Sequence, residues 1–162
     1  MLQFSSAREL METAREASRD AERIRLQLLE MEARANKTGA GGFEPRVRGT
    51  ADPDRIGRSV VSMVAREQEL RGRRERDYEI IDVACAVLYG PDSRGGLAKA
   101  TSTLWADTLW WRYLDGATWE ETGRAVGYSP RQCYNIAAAA LKAIDKDRSL
   151  WALAGIRRRE RA

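Results

Sequence analysis

The chain of 162 residues contains no histidine. That absence removes the side chain that most often serves as general base near neutral pH and as metal ligand. Its two cysteines, Cys85 and Cys133, stand far apart in apolar helical patterns. They read as buried, reduced thiols rather than as a disulfide or a metal site. No run approaches the ~18 consecutive apolar residues of a membrane span, so no membrane partner is expected. The polar, charged start does not resemble a secretory leader, and a cytoplasmic location is expected. There is no pair of carboxylates in an apolar pocket pattern, no metal-ligand spacing and no nucleophile motif. An enzyme is the least expected class, and no cofactor is expected.

What is present is helix. The composition is 43% hydrophobic and 32% charged. Leu10, Ala14, Ala17, Ala21, Ile24, Leu28, Met31 and Ala35 recur at alternating spacings of four and three, a heptad seam. Ser5 or Ser6 is the expected cap, with Glu9 in the opening turn, and the helix should run over about 5–36. Asn36 to Thr50, with four glycines and a proline, reads as a flexible loop, placed at 37–52. Its glycines lack the spacing of a phosphate-binding loop. Asp52 or Asp54 restarts helix, expected over 54–89. Its stripe runs through Ile56, Val60, Met63 and Leu70 and resumes at Tyr78, Ile81, Cys85 and Leu88, with Gly72 as a possible bend. Arg71, Arg73, Arg74 and Arg76 are nearly cancelled by Glu75, Asp77 and Glu79, as on a solvated face. Residues 1–89 thus predict a helical hairpin or coiled-coil arm that makes the protein a homo-oligomer.

Gly90 to Gly96 reads as a loop and, through residue 101, as a hinge. A helix capped by Ser102 or Thr103 should reach Leu114, its aromatics supplying core area. Trp119 and Trp151 are expected in the same core or at its edge. Then come two sets of start and stop signals. Thr118 with Glu121 is a capping box, in which each residue satisfies a backbone amide of the other. Gly127 stops that helix, because glycine enters the left-handed conformation most cheaply. Ser129 with Gln132 is a second box, and Pro130 suits a first turn. Only Tyr128 separates stop from start, which forces a steep crossing, as in a helix-turn-helix. Cys133, Ile136, Ala137, Ala140, Leu141 and Ile144 form one apolar stripe. Arg131, Gln132, Tyr134, Asn135 and Ala138 are left on the other side, near the helix N-terminus that enters the major groove in this motif.

Leu109 to Asp145, LWWRYLDGATWEETGRAVGYSPRQCYNIAAAALKAID, resembles the DNA-binding region 4 of bacterial sigma factors. The match rests on a helix ending in R-Y-L-x-G, then T-W-E-E, then G-Y-S-x-R-Q. With the upstream phrase LYGPDSRGGLAKATSTLWADTLWWRYLDG, the similarity extends over about residues 87–147 to phage-encoded late transcription regulators of the RinA and ArpU type. The resemblance implies a regulator acting on duplex DNA in the cytoplasm of a bacterial host cell, with host RNA polymerase as a further possible partner. Carried onto this sequence, it implies base contacts by Arg131, Gln132 and Asn135, with Tyr134 beside them, and phosphate contacts by Ser129, Arg112, Arg124 and Lys142. The chain departs from sigma region 4 in having small residues at Ala137 to Ala140, where that region is more basic.

The expected architecture is therefore all-α, an arm over 1–89, a hinge over 90–101, a helix-turn-helix over 102–148 and a basic tail over 149–162. Residues 1–108 hold 18 basic and 18 acidic side chains, residues 109–148 six and five, and the remainder four and one. The positive excess is C-terminal, which suits phosphate contact beside a helix-turn-helix. Two other functions fit the same pattern. One is a phage small terminase subunit bound to a packaging site. The other is a sigma-like adaptor that binds polymerase without reading bases.

Overall fold

A computed structural model describes residues 2–40 and 53–159, with the backbone alone for 38–40, 53, 55 and 56. The expected loop at 37–52, the cap at Asp52, the side chain of Ile56 and the last tail residues fall wholly or partly outside the described residues. The fold is all-α apart from one pair of two-residue strands. In chain order the elements are β1 (Gln3–Phe4), α1 (Ala7–Ala40), α2 (Pro53–Tyr89), α3 (Gly96–Ala100), α4 (Thr103–Leu109), a π-helical turn (Trp110–Leu114), α5 (Trp119–Val126), α6 (Pro130–Lys146), α7 (Arg148–Leu153) and β2 (Arg157–Arg158). Among the described residues no helix is long and apolar enough to cross a membrane.

The chain divides into two compact units, and the division falls inside both long helices. One unit is Met1–Arg19 with Asp77–Ala162, and the other is Asp20–Arg76. The expected hinge at 90–101 therefore lies within a unit rather than between two. It is tightly packed: Gly90 N–H donates to Ala86 O at 2.8 Å, and Gly95 N–H to Tyr89 O at 2.8 Å. Gly96 and Leu97 are buried, and the Tyr89 hydroxyl donates to Asp107 Oδ1 at 2.6 Å. Burial, followed by the adjacent Asp107 carboxylate, drives the Tyr89 phenol well above its usual pKa.

The first unit holds one continuous core. Leu10 and Met11 of α1, Val87 and Leu88 of α2, Leu97, Leu109, Ile144 and Leu150 are fully or almost fully buried together. α1 opens as its serines suggest: Ser6 Oγ accepts from Glu9 N–H, and Glu9 reaches back to the Ser5 N–H at 2.6 Å. The segment expected as a basic tail folds onto the N-terminus as far as it is described. Trp151 is buried, its indole N–H donating to Ile144 O at 2.9 Å, and Ile156 is buried after it. Gln3 and Phe4 pair in parallel with Arg157 and Arg158. Of the tryptophans Trp151 is in the core, whereas Trp105, Trp110, Trp111 and Trp119 are half-buried.

In the second unit α1 and α2 lie antiparallel. Arg73 Nη2 meets Asp20 Oδ2 at 2.7 Å, and Ala21, Ile24 and Leu70 are buried. α1 extends to Ala40 rather than stopping near 36, and α2 runs through Gly72 without interruption. Beyond Ile24 the heptad seam loses its cover: Leu28 and Met31 are half-buried, and Ala35 is exposed. Val60 and Met63, expected in the opposing stripe, are also exposed, at 55% and 43%. Among the described residues of this unit the two helices have no third layer, so only side chains aimed at the partner helix are covered.

Candidate nucleic-acid interface

The helix pair α5–α6 forms through the local signals at its ends. Glu121 N–H donates to Thr118 Oγ1 at 3.2 Å, and Thr118 N–H to Glu121 Oε2 at 2.8 Å. The backbone hydrogen bond from Thr118, then its hydroxyl, hold the Glu121 carboxyl below its usual 4.5. Gly127 has φ 80°, the left-handed geometry that ends α5. Gly123 serves a different purpose: a Cβ there would run into Tyr128 O, so α5 touches the turn backbone directly. That close approach brings Ser129 to the head of α6. Ser129 and Gln132 form the second box, with N–H to side-chain distances of 3.0 and 3.2 Å.

α6 then divides cleanly by face. Cys133, Ala137, Ala140, Leu141 and Ile144 are buried, and Ile136 is half-buried. Burial raises the Cys133 thiol pKa, as expected of an unreactive core cysteine. On the opposite side Arg131, Asn135, Ala138 and Lys142 follow at i, i+4, i+7 and i+11, one row along the helix. Arg131, Asn135 and Lys142 are exposed, and Ala138 is half-buried.

The other expected contact residues are placed differently. Gln132 is exposed, but its Oε1 is the acceptor of the second box. The cap uses one lone pair of that oxygen, leaving the other and both amide protons for a base edge. Tyr134 is 54% exposed and meets the Trp119 ring edge-on, with centroids 5.4 Å apart. Arg112 is half-buried and committed to the fold. Its Nη1 donates to Ala117 O at 2.8 Å, and its guanidinium lies 4.5 Å from the Trp119 ring centroid. Arg112 therefore braces the approach to α5 rather than standing free for a phosphate. Arg124 is exposed in the last turn of α5, and Ser129 Oγ, exposed at the tip, keeps its own proton to donate.

The π turn explains how Arg112 reaches this place. Asp115 N–H bonds Trp110 O at 3.0 Å, five residues back, so the last turn is wider than α-helical. Tyr113 and Leu114 enter the core while Arg112 turns toward Ala117 and Trp119. Aromatic density alone did not signal this. Arg15 of α1, not singled out by sequence, has its pKa lowered by burial and then by Arg112 and Arg19. Its Nε is buried without a partner.

No family model, no curated protein and no solved structure matches this chain.

Proposed function

We propose that the protein is a sequence-specific duplex-DNA-binding transcription regulator that lays α6 in the major groove. The observation that carries this reading is the row of exposed Arg131, Asn135 and Lys142 with half-buried Ala138, opposite the buried row of the second helix in a tight, doubly capped pair. Arg131 matches guanine O6 and N7, and Asn135 matches adenine N6 and N7. Gln132 keeps its cap and reads a base with the groups the cap leaves free, Tyr134 packs beside the readers, and Ser129, Arg124 and Lys142 contact flanking phosphates.

The helix-turn-helix head, over residues 109–148, carries little net charge, so avidity supplies the affinity that a single copy lacks. The uncovered residues of the second unit, Leu26, Leu29, Val60, Val61, Met63 and Val64, provide the surface for a second copy of the chain. The same reading extends to the phage late-gene regulators that the sequence resembles, with promoter DNA as ligand and host RNA polymerase as partner.

Two measurements test it. Sequencing the genomic DNA that copurifies with the protein should return promoter-proximal fragments. Enrichment of one packaging site by a ring-shaped assembly would instead indicate a terminase subunit, and saturable polymerase binding without DNA selectivity an adaptor. On a recovered site, Arg131→Ala with Asn135→Ala should cost about 1–3 kcal/mol per base pair read, with circular dichroism unchanged. Undiminished specific binding by that variant would remove the assignment.

A further inference from the structure

The C-terminal end of α6, α7 and the segment after it enclose a cleft of about 690 Å³. Lys146, Arg148, Arg157 and Arg159 stand exposed around it, with Asp145 as the single lining carboxylate among the described residues. Asp145 is already engaged: Oδ1 accepts the Ala7 N–H at 2.8 Å and lies 4.0 Å from Arg158 Nη2. The adjacent Asp147 caps α7, accepting from the Ser149 N–H at 2.9 Å and its hydroxyl at 2.6 Å. Arg158 is engaged as well, donating to Ser5 O at 2.9 Å and Asp145 O at 2.8 Å. The Arg159 side chain lies close enough to Glu9 to help hold that carboxyl low. Lys146, Arg148 and Arg157 are left with no ion pair or side-chain hydrogen bond among the described residues.

The backbone that carries Arg157 is also held in place. Parallel pairing of Gln3–Phe4 with Arg157–Arg158, and the Arg159 N–H bond to Phe4 O at 2.8 Å, hold the final segment against the core. A frayed tail would spread its charge through solvent, whereas here it converges on one cleft. Trp151 and Ile156, which line it, are only 3% and 6% exposed, so neither is free to insert into a lipid surface. Guanidinium forks beside an ammonium, with the nearby carboxylates occupied, match phosphate oxygens.

We propose that Lys146, Arg148 and Arg157 bind backbone phosphates of the duplex read by α6, an inference that rests on the DNA-binding reading above. Lys146 lies roughly 22 Å along the helix from Arg131, at ~1.5 Å per residue. This exceeds the ~12 Å width of the major groove, so the cleft takes phosphates beyond the groove and does not compete with base readout.

The test uses the full chain with Lys146→Gln, Arg148→Gln and Arg157→Gln combined, and a random-sequence duplex as probe. Binding is measured across a salt series, with a polyglutamate peptide in parallel and circular dichroism to show that the variant is folded. The dependence of log affinity on log salt should weaken by roughly 2 to 3, at about 0.9 for each phosphate no longer neutralised. Each single variant should account for about a third of the change, which keeps the result readable if the triple variant does not fold. A wild-type slope in the variants overturns the cleft assignment and leaves the α6 reading intact. Abolished polyglutamate binding with unchanged duplex binding overturns it in favour of an acidic protein partner. A wild-type chain that binds no duplex at any salt overturns both.

Discussion

Gly123 and Glu121 show how single residues set the geometry of α5 and α6. With Tyr128 O where a Cβ would stand, Gly123→Ala must push the helix and the turn apart. The opposing atom is backbone and cannot swing aside, so the expected cost is about 1–3 kcal/mol, or several degrees in thermal midpoint. Gly123→Ala should also weaken specific DNA binding before global unfolding, since Ser129 and Arg131 move with the turn. An unchanged melting curve would show that the approach is looser than the structure has it. Glu121 carries a pH dependence whose sign follows from its lowered pKa. The folded form binds its proton more weakly than the unfolded form, so the stabilisation is fully present above the ordinary value of 4.5 and is lost as pH falls through the folded value. Glu9, bonded by Ser5, and Asp147, bonded by Ser149, act in the same direction. Melting temperature against pH should therefore drop below about pH 4.5 in the wild type. In Glu121→Gln, whose amide oxygen still caps but does not titrate, the drop should be shallower, and an identical acid profile would contradict the capping role.

At the scale of elements, what sequence predicted well was local and what it missed was long-range. Both capping boxes, the stop at Gly127 and the α6 stripe are written within stretches of a few residues, and the structure forms them as read. Gln132 combines both readings, since its oxygen accepts from Ser129 N–H while the side chain stays exposed. The docked C-terminal segment had no periodic signal, because a strand pair of two residues each joins opposite ends of the chain. Its burial makes α7 a structural element with a testable weight. Trp151→Ala should destabilise by about 3–5 kcal/mol through the cavity it leaves, with the Ile144 carbonyl also deprived of its indole donor. Leu153→Ala, in the same helix but 45% exposed, should change stability by under about 0.5 kcal/mol. Equal effects in urea titrations would mean that the segment is not docked in solution.

For the molecule as a whole, the heptad seam shows the limit of periodicity as evidence. Its spacing identifies a face that seeks cover, and the single chain covers that face only as far as Ile24 and Leu70 in the second unit. Past that point Leu26, Leu29, Val60, Val61, Met63 and Val64 remain between 43% and 68% exposed. Charged residues of both signs alternate around them, as in the exposed pairs Arg25–Glu22 and Arg71–Glu67. Such pairs contribute little stability alone. Under the proposed self-association, a second copy brings the same heptads and covers this apolar strip. Because association binds only folded chains, melting temperature should rise with protein concentration over the micromolar range. Val61→Glu with Val64→Glu places carboxylates in the exposed strip without touching Ile24 or Leu70. The variant should sediment as a monomer, lose the concentration dependence, and bind specific DNA more weakly while Arg131 and Asn135 are intact. A wild-type chain that sediments as a monomer at micromolar concentration, with a melting temperature independent of concentration, would remove the oligomer and leave affinity to the head and its basic cleft alone.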